Sequence, residues 1–77
     1  MKVRVLLFAG LREKAGTGER IVELPSGSRL ADLEKPLGLE KTTWSSLAFA
    51  VNQTYVPAST VLKEGDEVAL VPPVAGG

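Results

Sequence analysis

The chain has 77 residues, 44% of them hydrophobic and 23% charged, with nine Lys and Arg against nine Asp and Glu. That length suits one small domain with a single core and is too short for two, and the zero formal charge argues against a nucleic acid or an anionic membrane as the main partner. The sequence contains no cysteine and no histidine, which excludes disulfides, thiolate nucleophiles, zinc sites built on those residues and imidazole acid–base catalysis, so the chain is not expected to be an enzyme by itself.

Residues 3–9 read as a strand, with Val3, Val5 and Leu7 on one face and Arg4, Leu6 and Phe8 on the other. Arg4 marks the second face as open, which puts Phe8 where water or a partner can reach it; a plain core role for Phe8 is the competing reading. Residues 11–15 are good helix formers stopped by Gly16, a short helical turn. Residues 16–18 form a loop without the Gly-Lys-Ser/Thr of a phosphate cradle, and no ligand is assigned to it. Residues 19–24 suit a second strand hairpinned on the first, at an edge because of its charges. Pro25-Ser26-Gly27-Ser28 supplies a turn and, through Ser26 or Ser28, a helix cap. The following helix sets Leu30, Leu33 and Leu37 on one apolar face and turns Asp32, Glu34 and Lys35 outward, with Pro36 expected to end it near Glu34 or Lys35. Residues 37–46 show no clear period, and Trp44 among them is expected to cap the core beneath the helix.

Residues 47–51 are a continuous apolar run, a strand closed by a turn at 52–54 and briefly resumed at Tyr55-Val56 until Pro57. A turn at 63–66 launches the last strand, 67–71, with Val68 and Leu70 on one face and Glu67, Ala69 and Val71 on the open one. The first and last strands are the most apolar and belong in the middle of the sheet. Strand, strand, helix, strand, short strand, strand is the order of an α+β β-grasp fold, a mixed sheet of four to five strands with one main helix packed on one face and an extended C-terminal tail.

The domain is expected to span 1–71 and the functional tail 72–77. Pro72-Pro73 lacks the N–H groups of a central strand, so it should lead the chain out as a stiff, extended segment. Gly76-Gly77 has no Cβ and can deliver the terminal carboxylate into a narrow channel. An α-carboxyl has a pKa of about 3.5, so Gly77 ends in a carboxylate that needs activation before it can react as an electrophile. Fully extended, the six tail residues span roughly 20 Å, enough to enter another protein. Met1-Lys2-Val3-Arg4 puts charge inside the first apolar run, and no run approaches the roughly 18 apolar residues of a membrane span, so a cytoplasmic protein is expected.

Three blocks carry a resemblance: Leu7-Phe8-Ala9-Gly10-Leu11-Arg12-Glu13, Ala50-Val51-Asn52-Gln53-Thr54, and Gly65-Asp66-Glu67-Val68 leading to Pro72-Pro73-Val74-Ala75-Gly76-Gly77. Together they resemble MoaD, the small sulfur-carrier subunits of molybdopterin synthase, within the ubiquitin-like MoaD/ThiS family. The Pro-Pro-Val-x-Gly-Gly ending is the most specific block, while the Val-Asn and Gly-Asp-Glu blocks also recur in the thiamine-pathway carrier. Pro36 departs from the pattern by interrupting a helix that is commonly longer.

The resemblance implies that a MoeB-like, ubiquitin-activating-like adenylyltransferase uses ATP to adenylate the Gly77 carboxylate. Sulfur from a persulfide donor protein then displaces AMP and leaves a thiocarboxylate. A MoaE-like large subunit would receive the tail and pass the sulfur to cyclic pyranopterin monophosphate, with two loadings per dithiolene. It further implies catalytic residues on the large subunit, no cofactor or metal on this chain, and a heterotetramer of two small and two large subunits. Gly77 is then the cosubstrate and Gly76 keeps the approach narrow. Strand parity and the resemblance together make Phe8, Tyr55 and Val71 the candidates for an apolar docking patch, expected to continue along Pro72, Pro73, Val74 and Ala75. Two other readings stay open: a related carrier for thiamine synthesis or tRNA thiolation, or a ubiquitin-like protein modifier; and a β-grasp interaction module with no chemistry.

Overall fold

The structure is a computed structural model and describes residues 1–73. Its strands are β1 (Lys2–Leu7), β2 (Glu19–Glu23), β3 (Ala48–Val51), β4 (Thr54–Tyr55) and β5 (Glu67–Val71). They form one sheet in the order β2-β1-β5-β3-β4. β1 runs antiparallel to β2 and parallel to β5, and β3 lies antiparallel between β5 and β4. The two most apolar strands therefore sit side by side in the interior and β2 takes the edge its charges suit.

Period-two alternation decides the layers. Val3, Val5 and Leu7 of β1 and Val68 and Leu70 of β5 point into the core, where they meet Leu30 and Leu33, both fully buried, together with Leu11, Leu47 and Leu62. Each such side chain contributes about 1.5 to 3 kcal/mol through burial, which makes this cluster the main driving force for a chain of this size. Trp44 is half-buried against Phe49, the ring centroids 4.9 Å apart, and closes one side of the core as expected.

The helical layer differs from its sequence reading in four places. β1 stops at Leu7 rather than residue 9: Phe8 is still extended, but Ala9 at φ +49° turns the chain into α1 (Ala9–Ala15). The helix thus starts two residues early, and Gly16 at φ +75° ends it where expected. Neither Ser26 nor Ser28 caps the next helical segment. Arg29 holds that position, its N–H donating to the Asp32 carboxylate at 2.8 Å, while the Ser28 hydroxyl donates to the Pro25 carbonyl.

Pro36 does not end the helix. A 3-10 turn at Leu30–Leu33 runs into α2 (Glu34–Leu37), and Pro36 occupies the third position of α2, within the first turn, where an N–H has no intrahelical partner to lose. Gly38, at φ +66°, ends it instead, its N–H reaching the carbonyls of Glu34 and Lys35 at 3.1 and 3.0 Å. The expected main helix is therefore a 3-10 turn joined to one α-helical turn, and α3 (Lys41–Ser45) fills the stretch that showed no period. Among the described residues, no helix is long and apolar enough to cross a membrane.

Candidate docking face and tail exit

The sheet face away from the helices is open, and the register shows what lies on it. Glu19, Leu6, Ala69, Ala50 and Tyr55 align in one row across all five strands. One row toward the end of β5, Val71 pairs with Ala48, and Phe8 continues the alternation of β1 beside them. One row the other way lie Ile21, Arg4 and Glu67.

The face is thus divided. At the start of β5 it is charged: the Arg4 guanidinium spans three strands, with Nε 2.6 Å from Glu19 and Nη2 2.7 Å from Glu67. Both pairs are partly exposed and add little stability, but they use the charges of this end on one another. Toward the end of β5 the face is apolar, made of Phe8, Val71, Leu6, Ala69 and Ala48, with Tyr55 on the flank. It stops where Pro72 and Pro73 leave the sheet.

Phe8, Val71 and Tyr55 are therefore brought onto one face. Phe8 is 45% and Tyr55 71% exposed, so neither is a core residue, while Val71 is half-buried. Pro72 is half-buried and Pro73 exposed at the exit. Val74, Ala75, Gly76 and Gly77 lie outside the described residues. The acidic residues near the face are engaged locally: Glu64 accepts the Lys2 N–H, and Asp66 accepts the Lys63 N–H and the Asn52 amide. They behave as turn residues. Among the described residues no cluster of three His, Cys, Asp or Glu could hold a metal ion.

Sequence reasoning missed two features. Ala48 and Ala50 complete the apolar floor, but the uninterrupted run of β3 hides their parity; their pairing with Val71 and Ala69 supplies it. The second is a cleft of about 410 Å³ on the helix side of the exit, walled by Pro72 and Pro73 against the start of α1 and residues 38–43. Nothing in local sequence could reveal it, because it depends on how three distant segments pack.

The chain as a whole is similar to known proteins. Residues 5–77 match the ThiS family. The chain is 40% identical to the molybdopterin synthase sulfur carrier subunit of Chlamydomonas reinhardtii, with 100% of both chains covered. Among solved structures, the small archaeal modifier protein SAMP1 of Haloferax volcanii superposes with a TM-score of 0.87 at 27% identity over 100% of both chains. A protein–protein complex of subunits 1 and 2 of the molybdopterin-converting factor of Helicobacter pylori gives a TM-score of 0.71 at 27% identity, again over 100% of both chains. These overlaps bear out the β-grasp fold expected from the order of elements.

Proposed function

The chain belongs to the ThiS family, and from that premise we propose that it is the sulfur carrier subunit of a molybdopterin synthase. The observation that carries this reading is the continuity of the apolar end of the open face with the Pro72-Pro73 exit. A partner docked on Phe8, Val71 and Tyr55 sits where the tail departs, so docking places the partner beside the segment it must receive. The full-length likeness to a sulfur carrier subunit supports the same reading.

The chemistry belongs to the Gly77 carboxylate. An activating enzyme of the adenylyltransferase class joins it to the α-phosphorus of ATP and releases pyrophosphate, giving an acyl adenylate. The terminal sulfur of a donor's persulfide attacks the acyl carbon and AMP leaves; a thiol then reduces the resulting acyl disulfide to the thiocarboxylate. In the synthase, the large subunit directs that sulfur to the cyclic pyranopterin and water restores the carboxylate. A product with two sulfurs consumes two loaded carriers. Gly76 keeps the end slim enough for both active sites. This chain binds no cofactor of its own, and the assembly contains two small and two large subunits in the cytoplasm.

The test is the intact mass of the chain after incubation with ATP, a persulfide donor and an activating extract. Replacement of one oxygen by sulfur on the C-terminal peptide, abolished by deleting Gly77, is the expected result. No replacement under conditions that load a known carrier would overturn it. The likeness to SAMP1 favours a second reading, a protein modifier, which would instead appear as Gly77 joined to lysine side chains of other proteins.

A further inference from the structure

We propose that the resting carrier stores its own tail in the groove beside the exit, with the Gly77 carboxylate held at Lys14. This rests on the carrier reading only for its purpose; the geometry stands apart from it. The cleft at the exit is walled by Pro72, Pro73, Ala9, Gly10, Leu11 and Leu39. A second cleft of about 270 Å³ shares Leu11, Lys14, Gly38 and Leu39 with the first and adds Arg20. The two form one groove leading away from the exit along α1. Its floor is apolar: Leu11 is 5% exposed and Leu39 is half-buried against the core.

Three observations choose the occupant. The last described residue, Pro73, is itself part of the wall, and the four residues beyond it reach about 13 to 14 Å when extended, enough to follow the groove. The composition fits: Val74 offers one apolar side chain to Leu11 and Leu39, and Ala75, Gly76 and Gly77 fit a shallow channel. Charge sets the direction. Glu40 lines only the cleft at the exit, Lys14 lines both, and Arg20 lines only the far one, so an anionic end moves away from Glu40 toward Lys14. Among the described residues neither Lys14 nor Arg20 forms a salt bridge.

A tethered tail meets this groove at an effective concentration on the order of millimolar, which favours it over the tail of a second copy at ordinary protein concentration. The groove lies on the helix side and the docking face on the other side of the sheet. A partner can therefore engage Phe8 and Val71 before it draws the tail out, and an undocked carrier keeps its reactive end covered.

Backbone and methyl NMR on three full or nearly full chains tests this: the intact chain, a chain stopped after Pro73, and Lys14→Glu, which keeps a good helix former in α1. Stopping at Pro73 should shift the amides of Gly10, Leu11, Lys14, Leu39 and Thr43, and the intact chain should show contacts between the Val74 methyls and those of Leu11 and Leu39. Lys14→Glu should weaken those contacts and speed carboxypeptidase release of Gly77 about two- to fivefold, the range of one exposed ion pair. Shifts confined to residues 71–73, or contacts that grow with protein concentration and so come from a second copy, would overturn the proposal. Sulfur loading is read separately by mass, so failure of one reading leaves the other standing.

Discussion

Phe8 ends a strand without entering the core. It has extended backbone angles, and its carbonyl accepts the N–H groups of Leu11 and Arg12 at 3.1 and 3.4 Å, so it serves as the first station of α1 while its ring stays 45% exposed. The next residue, Ala9, turns the chain at φ +49°, a conformation that L-residues other than glycine, asparagine and aspartate rarely adopt. The turn leaves the aromatic ring beside Val71 on the open face. An aromatic side chain in that setting is a candidate hot spot, and truncating one costs about 2 kcal/mol of binding, some thirtyfold in affinity. Phe8→Ala should therefore weaken binding of the large synthase subunit by that amount in a calorimetric titration. The folding stability of the chain should fall by only about 1 to 1.5 kcal/mol, since the ring is 45% exposed and roughly half of the burial term of a core Phe is at stake. Unchanged affinity would move the interface off this end of the sheet.

At the level of elements, the turn between β3 and β4 is fastened to the start of β5. Asn52 donates from Nδ2 to Asp66 at 3.0 Å, accepts the Glu67 N–H at Oδ1 at 3.0 Å, and donates its own N–H to the Glu67 carbonyl at 2.8 Å. Two of the sequence blocks that carry the family resemblance thus meet in one hydrogen-bonded corner, and their role is to set the strand that leads to the tail. Asn52→Ala removes the two side-chain bonds and should lower stability by about 1 to 2 kcal/mol, discounted for exposure; urea unfolding measures it, and sulfur loading of the folded fraction should stay normal. A stability equal to the parent would remove the corner from the account. This corner also marks what could be read from sequence. β1 and β5 were legible because their alternation is strict, and the same parity exposed Phe8 and Val71. The end of α2 was not, because a proline stops a helix only where its N–H was needed, and Pro36 sits in a first turn. Ala48 and Ala50 were hidden because an all-apolar strand carries no parity of its own, and the groove at Lys14 because residues 9–14, 38–43 and 72–73 are neighbours only after folding.

For the whole molecule, the parallel pairing of β1 with β5 fixes where its two ends lie. Arg4 pairs with Glu67 and Leu7 with Leu70, so both strands start at one end of the sheet and finish at the other. The Met1 ammonium donates to the Leu24 carbonyl at 2.6 Å at the starting end, and five residues of β5 at about 3.3 Å each carry the chain roughly 16 Å away before Pro72. The N-terminus therefore lies with the charged end of the open face, far from the apolar end and the exit. A peptide fused before Met1 should leave both sulfur loading and large-subunit affinity at the parent value; the amide that replaces the ammonium can still donate to Leu24, limiting the stability change to about 1 kcal/mol. On the proposed function, a peptide fused after Gly77 should abolish loading, because the carboxylate proposed to be adenylated has become an amide, yet the folded domain should still dock through Phe8, Val71 and Tyr55. Cleavage back to Gly77 should restore loading. Intact mass and a binding titration on the two fusions separate these outcomes: a loaded C-terminal fusion would place the chemistry elsewhere than Gly77, and a docking defect caused by the N-terminal fusion would place the interface at the charged end of the sheet.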